Sequence, residues 1–377
     1  MAVAAEDRLG KKGRVTMSNV LFADARVREL SAEHSLPSKF QRLLKKLDLA
    51  ATVEGKTVAV KMHMGGNMGY TTIHPLFVRL LVQACREGGA AKVSVMDGEI
   101  HGAEARGYTP ATIGAPVVSC FGSTGQYLYR KKIGFLDLKE ALYGGNAWDA
   151  DVFIDLSHVK GHGMCGFGGA IKNIAMGCVP PKTRGDIHRL QGGIAWTADK
   201  CIHCRKCVDE CPNGANRFLD DGTYDVFWHN CTFCRHCVMI CPTGSLQDDA
   251  DRYDAFQEGL ARVAAGFLDH FKPENTLFIN VLLNITIYCD CWGFTSPPLH
   301  PDVGILAGRN IVAVEQASLD RIKASRMLKE GLPVGGKQMR RKGHLFERVH
   351  GKDPYVQVRK MEALGYGPAD YRVVEVR

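Results

Sequence analysis

The chain has 377 residues, of which 45% are hydrophobic and 23% charged, which is ordinary for a folded globular protein and allows two domains or one large domain with an insert. Its formal net charge of +8 fits attraction to an acidic redox partner or an anionic substrate, and since no nucleic-acid motif accompanies the charge, we expect no nucleic-acid partner. The sequence predicts a cytoplasmic protein with no membrane partner. It contains 14 cysteines but no apolar secretory segment at the N-terminus, which indicates a reducing compartment, and it has no apolar run long enough to span a bilayer.

The N-terminal half predicts strands that alternate with helices. The predicted strands are Val15–Phe22, Thr57–Lys61, Lys92–Met96 and Val152–Leu156, and the predicted helices are Pro37–Leu49 and Pro75–Glu87. Residues 100–147 suggest no regular element. The strand–helix–strand order favours a parallel sheet with right-handed crossovers.

A glycine-rich polar stretch, residues 155–188, begins at the end of the fourth predicted strand. Open α/β sheets bind ligands at the carboxyl ends of their strands, so we expect a pocket here. Four glycines between residues 161 and 168 would let a ligand approach the backbone closely, and Gly168–Gly169 lead into a helix whose N-terminus would suit an anion. The glycine spacing matches neither the Walker loop nor the dinucleotide fingerprint, so we predict no nucleotide.

This expected pocket supplies most of the candidate site residues. The candidate catalytic residues are His158, Lys160 and His162. The candidate substrate-binding residues are Gly168, Gly169, Lys172 and Asn173, together with His63 from the loop after the second strand. The alternative is a tight turn with surface lysines, but three histidines and two cysteines in one polar loop favour a functional pocket.

The segment Cys201–Pro242 contains two cysteine runs with the same spacing. Each run reads C-x2-C-x2-C-x3-C-P, the ligand pattern of bacterial two-cluster ferredoxins, in which the fourth cysteine of one run binds the cluster of the other. We therefore predict two [4Fe–4S] clusters, one held by Cys201, Cys204, Cys207 and Cys241 and the other by Cys231, Cys234, Cys237 and Cys211. A four-cysteine zinc site leaves the spacing unexplained, and a disulfide framework is typical of secreted proteins, so both are weaker interpretations.

The cysteine segment interrupts the α/β pattern. We predict an α/β domain formed by residues 13–195 and 250–377, with residues 196–249 as an inserted α+β domain of the two-cluster ferredoxin type. After the insert, the predicted helices are Asp254–Phe271 and Ser318–Glu330, and the predicted strands are Leu277–Tyr288 and Ile311–Val314. The predicted fold class is therefore α/β, with a mostly parallel sheet flanked by helices. We interpret the basic tail from Lys337 as a solvated face.

Another pair of cysteines, Cys289 and Cys291, follows the predicted strand Leu277–Tyr288. Alternate residues of a strand share a face, so both sulfurs would point the same way. They could bind an extra metal with His162 or Cys178, form a redox-active dithiol, or pack as small apolar side chains. The sequence leaves these three interpretations open.

Several motifs resemble those of a known family. The stretches that look like the signature of the domain-of-unknown-function family 362 are Lys160-Gly-His162, Gly168-Gly169-Ala-Ile-Lys172-Asn173, Met176-Gly-Cys178, Val60-Lys61-Met-His63-Met-Gly65, Cys289-Asp290-Cys291 and Pro301-Asp302-Val-Gly304. Many members of that family carry a two-cluster ferredoxin insert, so the resemblance implies an iron–sulfur protein of anaerobic metabolism, but it implies no particular reaction. Similar proteins often show a Thr/Asn-rich stretch after the third strand, where this chain has Asp97-Gly98-Glu99. This difference suggests a different substrate.

Three functions are compatible with these patterns. The first is an oxidoreductase that passes electrons through two [4Fe–4S] clusters to a small anionic substrate, with a ferredoxin or a reductase as its redox partner protein. The second is a non-enzymatic electron carrier or adaptor, and the third is a maturation factor that loads a metal or cluster onto another protein. The elaborate glycine-rich loop favours the first, because a bare carrier needs only the insert. The sequence leaves open a homo-oligomer.

Overall fold

The computed structural model describes residues 17–66, 68–211, 214–228, 230–231, 236–248, 252–292, 295–333 and 340–377. The strands in these ranges are β1 (Ser18–Asp24), β2 (Thr57–Met62), β3 (Lys92–Asp97), β4 (Val117–Ser119), β5 (Leu128–Phe135), β6 (Leu138–Gly144), β7 (Val152–His158), β8 (Lys160–His162), β9 (Gly166–Gly168), β10 (Ile194–Trp196), β11 (Asn216–Phe218), β12 (Tyr224–Val226), β13 (Leu246–Asp248), β14 (Thr276–Leu282), β15 (Gly304–Gly308) and β16 (Tyr371–Glu375). The α-helices are α1 (Leu36–Lys46), α2 (Leu49–Val53), α3 (Pro75–Glu87), α4 (Pro110–Ile113), α5 (Gly145–Trp148), α6 (Ala170–Gly177), α7 (Pro181–Arg189), α8 (Lys206–Asp209), α9 (His236–Ile240), α10 (Tyr253–Leu268), α11 (Ile311–Arg321), α12 (Leu345–His350) and α13 (Val356–Ala363).

One large sheet carries the fold. Within the described residues it has eight strands in the order β16-β1-β15-β14-β7-β2-β3-β4. All of them run parallel except β15, which is antiparallel to both β1 and β14. The prediction of an α/β fold with a mostly parallel sheet flanked by helices is confirmed.

Two apolar cores lie on the two faces of this sheet. In β7, Val152, Ile154 and Leu156 belong to the core that includes side chains of α1 and α3. Phe153 points the other way, into the core that includes side chains of α6, α10 and α11. Strands buried on both faces read as nearly unbroken apolar runs, which explains why β2 and β7 were predictable from the sequence.

The strand order reverses between β2 and β7. The chain adds β3 and β4 on one side of β2, and then returns to place β7 and β14 on the other side. The register sets Lys61 of β2 beside Asp155 of β7. Because ligands of open α/β sheets bind outside the carboxyl ends of the strands at such a reversal, this pair marks the expected binding edge.

The prediction that Ile311–Val314 is a strand was wrong, because these residues form the first turn of α11. The side chain of Asn310 caps this helix by accepting hydrogen bonds from the backbone N–H groups of Val312 and Ala313, at 2.9 and 3.2 Å. Periodicity cannot distinguish a short apolar run in a strand from one in a buried helix. The strand of this region is β15, whose glycine-rich sequence has little β-propensity.

Two other elements end earlier than predicted. The predicted strand Leu277–Tyr288 ends at Leu282, because Asn284 adopts a left-handed backbone conformation with φ of 46° that cannot continue a strand. The predicted helix Ser318–Glu330 overlaps only the last four residues of α11, which ends at Arg321, and the residues that follow include two short 3-10 turns. Residues 100–147, for which no element was predicted, contain β4 and the antiparallel hairpin of β5 and β6.

Residues 194–248 contain a small, separate group of elements. Strand β10 pairs antiparallel with β13, so that Ala195 lies opposite Gln247, and β11 pairs with β12. The apolar side chains here form a third cluster of their own. The predicted domain boundaries and the ferredoxin character of residues 196–249 stay predictions. Parts of the predicted elements, namely Cys234, Pro212 and the start of the predicted strand Val15–Phe22, lie outside the described residues.

The helices are not of the membrane-spanning type. In the part of the chain that the structure describes, none combines the length and the apolar character needed to cross a bilayer.

Candidate functional site

A cavity of about 940 Å³ opens at the carboxyl ends of the parallel strands. On the sheet side it is lined by residues at or just after the ends of β2, β3 and β7, including His63, Asp97 and His158. Helix α6 contributes Lys172, and part of the remaining wall comes from residues 217–231, which include Cys231. The cavity therefore joins the glycine-rich stretch to the cysteine segment.

Buried charges are hydrogen-bonded to one another beneath this cavity. Lys61 Nζ lies 2.9 Å from Asp97 Oδ1 and donates a hydrogen bond to Asn173 Oδ1 at 2.6 Å. The other end of the Asn173 amide donates to Asp155 Oδ2 at 2.7 Å. Because Lys61, Asp97 and Asp155 are at most 2% exposed, their charges must be balanced inside the protein. Asn173, a candidate for substrate binding, thus has both ends of its amide bound to protein groups.

The two carboxyl groups of this network differ in protonation. Although burial opposes ionisation of Asp97, the positive charge of Lys61 and the hydrogen bond from His63 hold its pKa well below the usual range. Burial raises the pKa of Asp155 to about 7, even though Ser157 and Asn173 donate hydrogen bonds to it. Asp97 is therefore a permanent anion, whereas Asp155 changes its protonation near neutral pH.

His63 lies in the cavity wall, with one ring nitrogen hydrogen-bonded and the other buried without a partner among the described residues. Its Nδ1 donates to Asp97 Oδ2 at 2.8 Å, which fixes the proton of the neutral ring on Nδ1. Its Nε2 has no hydrogen-bond partner among the described residues. Asp97 is held in turn by the backbone N–H groups of Met64 and Gly98, at 3.2 and 2.8 Å. This arrangement leaves a lone pair on Nε2 that can accept a proton inside the cavity.

Lys160 and His158, two of the candidate catalytic residues, converge on Asp290. Lys160 is 1% exposed, and its Nζ donates to Asp290 Oδ1 and, at 2.9 Å, to Thr71 Oγ1. His158 contacts Asp290 Oδ2 through Nδ1 at 3.1 Å and donates to the Leu283 carbonyl through Nε2 at 2.6 Å. The polar atoms of both side chains are therefore already paired with protein groups. Despite its burial, Asp290 has a pKa held far below the usual range by Lys160 and His158.

The start of α6 is occupied by a protein carboxylate. Glu315 of α11 is buried, and its carboxylate accepts hydrogen bonds from the N–H groups of Ala170 and Ile171, at 2.8 and 3.4 Å. It also accepts from Asn280 Nδ2 at 2.8 Å, and burial raises its pKa to about 7. The sequence suggested that the N-terminus of this helix would suit a bound anion, but the carboxylate of Glu315 already occupies that position.

The glycines of the stretch permit close packing of the protein against itself. A Cβ atom at Gly169 would lie 2.2 Å from Glu315 Oε1, and one at Gly161 would lie 2.2 Å from the Ile287 carbonyl oxygen. Neither position has room for a side chain. Gly168 and Gly169 do line the cavity, as predicted for substrate-binding residues, but the closest approach at Gly169 is to a protein group.

Lys172 faces the pair Cys289 and Cys291. The two cysteines are joined by a disulfide, and Lys172 Nζ lies 3.8 Å from the Cys289 sulfur and 3.7 Å from the Cys291 sulfur. His162 is buried, and one of its ring nitrogens lies within 4.8 Å of both sulfurs. Burial, with a smaller contribution from Lys172, holds the pKa of His162 well below its usual range, so the ring is neutral. The structure thus brings three of the predicted residues together around Lys172.

Cys178, suggested as a partner of this pair, lies elsewhere. Its buried thiol interacts with that of Cys120, and burial together with this contact raises its pKa well above the usual value. The cluster of possible metal ligands in the described residues contains His162, Cys289 and Cys291 without Cys178. The strand geometry proposed for the pair is also wrong, since Cys291 lies in a 3-10 turn, Asp290–Trp292, beyond the end of β14.

Four of the predicted cluster ligands line one small cavity within the cysteine segment. They are Cys201, Cys204, Cys207 and Cys241, the set that the spacing assigns to one cluster. His203 and Arg205, which alternate with the first three, adopt positive φ angles of 51° and 61°. Residues other than glycine seldom adopt this conformation, and here it bends the loop tightly between the cysteines.

The second predicted set is described only in part. Cys211, Cys231 and Cys237 belong to the same apolar cluster as Tyr224, and Cys234 lies outside the described residues. The Cys211 sulfur accepts a hydrogen bond from the Ala215 N–H at 3.1 Å. Of these residues, Cys231 also lines the large cavity.

Sequence reasoning missed several residues that shape the site. Lys61, Asp155, Asp290 and Glu315 were not proposed for any role, although each is buried and charged. A partial signal was available, because Lys61 and Asp155 occur within apolar runs that read as buried strands. An ionisable residue in such a run requires a partner. The identity of that partner depends on tertiary structure.

Comparison with known proteins gives a family without an assigned reaction. The family model described as "Domain of unknown function (DUF362)" matches residues 58–320, which is more than half of the chain. No curated protein matches the chain.

Two solved structures are similar at low identity. The lactate racemase apoprotein from Thermoanaerobacterium thermosaccharolyticum is 13% identical, with a TM-score of 0.34, over 65% of this chain and 49% of that chain. A protein from Thermotoga maritima is 13% identical, with a TM-score of 0.37, over 67% of this chain and 52% of that chain. This chain thus spans about half the length of each, and likeness at this level carries no information about activity.

Proposed function

The chain belongs to the DUF362 family, and we propose that it is an iron–sulfur oxidoreductase that passes electrons through two [4Fe–4S] clusters to a small anionic substrate in the large cavity. The observation that carries this proposal is the convergence of Cys201, Cys204, Cys207 and Cys241 on one small cavity, while Cys231 lines the large one. When bound, clusters of this type supply electrons one at a time.

The arrangement of the first four cysteines suits a cubane better than a zinc ion. A zinc ion binds four sulfurs at Zn–S distances of about 2.3 Å, so the four sulfurs around it lie close to one another. A cubane holds its thiolates farther apart, and among the described residues no three of these four sulfurs lie within 4.8 Å of one another. The second predicted ligand set, of which Cys211, Cys231 and Cys237 are described, reaches the large cavity through Cys231.

Lys172 is the residue best suited to attract an anionic substrate. It lines the cavity, and in the described part of the chain no carboxylate lies within ion-pair distance of its Nζ. Burial lowers its pKa, which makes transfer of its proton to a bound substrate easier. Lys160, in contrast, lies against Asp290, so its role in this proposal is to hold the loop after β14 in place.

His63 is the residue best suited to move a proton. Its Nε2 is buried at the cavity wall without a hydrogen-bond partner among the described residues, and Asp97 orients the ring through Nδ1. A carboxylate that accepts from one nitrogen of a histidine raises the basicity of the other, which is the arrangement used in general acid–base catalysis. In this proposal Asp97 positions His63, and Lys61 keeps Asp97 ionised.

The proposal is tested by metal analysis of anaerobically purified protein. We expect about eight iron atoms per chain, since each of two cubanes holds four. Cys204→Ser and Cys237→Ser should each disturb a different cluster and remove about half of the iron. Cys85→Ala is the matched control, because Cys85 lies on α3, in the apolar core on the opposite face of the sheet from α6. Stoichiometric zinc without iron in the wild-type protein would refute the proposal.

A second experiment separates an enzyme from a bare electron carrier. Chemically reduced protein is mixed with a panel of small carboxylates and oxyanions, and its reoxidation is followed by absorbance. If the cavity binds substrate, His63→Ala and Lys172→Ala should abolish the reaction with the active anion while keeping the iron content. Retention of the full rate in both variants would instead favour a carrier whose electrons leave without using the cavity.

A further inference from the structure

The disulfide of Cys289 and Cys291 lies in the wall of the large cavity. Both residues line this cavity together with Lys172 and, from the cysteine segment, Cys231. Cys291 belongs to a 3-10 turn, and Cys289 directly precedes this turn. Asp290, which lies between the two cysteines, forms ion pairs with Lys160 and His158. The turn that carries the two sulfurs in the cavity wall is thus held in place through the contacts of Asp290.

The charge next to the sulfurs favours thiolates over a bound cation. Lys172 Nζ lies within 4 Å of both sulfurs, and no carboxylate within ion-pair distance balances it among the described residues. An ammonium group lowers the pKa of a neighbouring thiol and stabilises the thiolate. A metal ion at the same place would be repelled by this ammonium group.

The hydrogen bonding of His162 also disfavours a metal. The backbone N–H of Met164 donates to His162 Nδ1 at 3.2 Å, so the neutral ring carries its proton on Nε2. Neither nitrogen then offers a free lone pair to a metal. The neutral ring of His162, one nitrogen of which lies within 4.8 Å of both sulfurs, therefore lies beside the pair without a lone pair for a metal.

We propose that Cys289 and Cys291 form a dithiol–disulfide couple that stores two electrons inside the cavity. In the reductive step the bond between the two sulfurs breaks, and two electrons and one proton from solvent yield one thiol and one thiolate, the thiolate lying beside Lys172. In the reverse step the thiol and the thiolate pass two electrons and one proton to a two-electron acceptor, and the disulfide forms again. The electrons come from the two one-electron clusters, so this inference rests on the proposed function.

The stoichiometry of the couple matches that of the proposed clusters. Two clusters that carry one electron each supply the two electrons that a disulfide requires. Cys231, a predicted ligand, lies in the same cavity wall as the couple. The pair would therefore convert single electrons into a pair, and the class of substrate is an anion that is reduced by two electrons at once.

The couple is tested with the full-length protein under anaerobic conditions. The protein is equilibrated in dithiothreitol buffers of graded oxidised-to-reduced ratio, quenched with acid and alkylated with N-ethylmaleimide after unfolding. Mass spectrometry then counts the labels on the peptide that carries Cys289 and Cys291. We expect a single transition from no label to two labels that follows the buffer ratio, whereas Cys165, a lone buried thiol, should be labelled throughout.

A second measurement tests the role of Lys172. In the reduced native protein, the rate of alkylation at the pair should fall roughly fivefold or more in Lys172→Gln, the factor that a unit charge at about 4 Å contributes even in bulk water. Lys182→Gln is the matched control, because Lys182 lines the same cavity but pairs with Asp186. Equal rates in the wild-type protein and Lys172→Gln would remove the assigned role of the lysine and overturn this part of the proposal.

The outcomes separate the couple from the proposed function. Labelling that ignores the buffer ratio, or one equivalent of metal that is lost in Cys289→Ser, would overturn the couple and leave the clusters untouched. Iron content is measured on the same samples. A chain that lacks iron but shows the two-label transition would reject the clusters and retain the couple.

Discussion

Replacing Glu315 by glutamine should remove much of the pH dependence of stability between pH 5 and 8. Glu315 is buried at the start of α6, and burial raises its pKa to about 7 from an ordinary 4.5. A carboxyl group with a raised pKa in the folded state stabilises fully below its unfolded value, and this contribution is lost as the pH rises through the folded value. The wild-type protein should therefore become less stable over this interval.

The magnitude follows from the two pKa values. With 1.36 kcal/mol for each pKa unit, the linkage integral from pH 5 to pH 8 gives a loss of about 2.5 kcal/mol for this one group. Glu315→Gln has no charge to bury and keeps an oxygen that can accept from Ala170 and Asn280. The difference in the free energy of unfolding, variant minus wild type, should therefore grow by about 2.5 kcal/mol over the interval.

Urea denaturation followed by circular dichroism at four pH values under argon measures this difference. Asp155 titrates in both proteins, and since the charge of Glu315 is the last of the causes that shift the Asp155 pKa, most of its contribution cancels in the comparison. Glu33→Gln is the control, since Glu33 is an exposed glutamate and the substitution makes the same chemical change at the surface. A Glu315→Gln difference that stays constant from pH 5 to pH 8 would refute the reasoning, because it would show that Glu315 is equally charged in the folded and unfolded states.

Three further predictions concern the buried pairs and the insert. Lys160→Ala should destabilise the fold by roughly 3–5 kcal/mol in urea denaturation, because it leaves Asp290 buried without its cation, and a loss below 1 kcal/mol would contradict this pairing. Asp97→Asn should reduce turnover in the reoxidation assay and shift its pH profile while the iron content stays unchanged, since it removes the negative charge that faces His63 Nδ1. An unchanged profile would exclude this role. Replacing residues 196–246 by Asn-Gly should connect the paired strands β10 and β13 by a two-residue hairpin turn. We expect this variant to unfold cooperatively when followed by circular dichroism. A spectrum typical of a molten globule would show that the insert supports the main core.

The parallel strands were predictable because their signal is local. Thr57–Lys61 and Val152–Leu156 are apolar runs with β-branched residues, and a strand covered on both faces needs nothing else. The error at Ile311–Val314 has the same origin, since four apolar residues with a β-branched majority also fit the buried side of a helix. The helix was identifiable only through the cap at Asn310.

The candidate site was predictable in position but less so in detail. The glycine-rich stretch does line the cavity, and Lys172 and His63 face it, because ligand sites in open α/β sheets follow from topology. The partners of Lys160 and the occupant of the α6 N-terminus were not predictable. Asp290 and Glu315 lie far away along the chain, so only the folded structure reveals that both positions are already neutralised.

The two glycines without room for a Cβ atom, Gly161 and Gly169, also bear on how mutagenesis of this loop is interpreted. An alanine scan would lose activity at both positions because a methyl group collides with Ile287 or Glu315, and the loss would resemble that of a ligand contact. During evolution, the same collisions would prevent replacement of the two glycines even where the residues that carry out the reaction in the cavity change. A glycine signature of this kind therefore reports how tightly two layers of a protein close upon each other, and it can persist across relatives that catalyse different reactions.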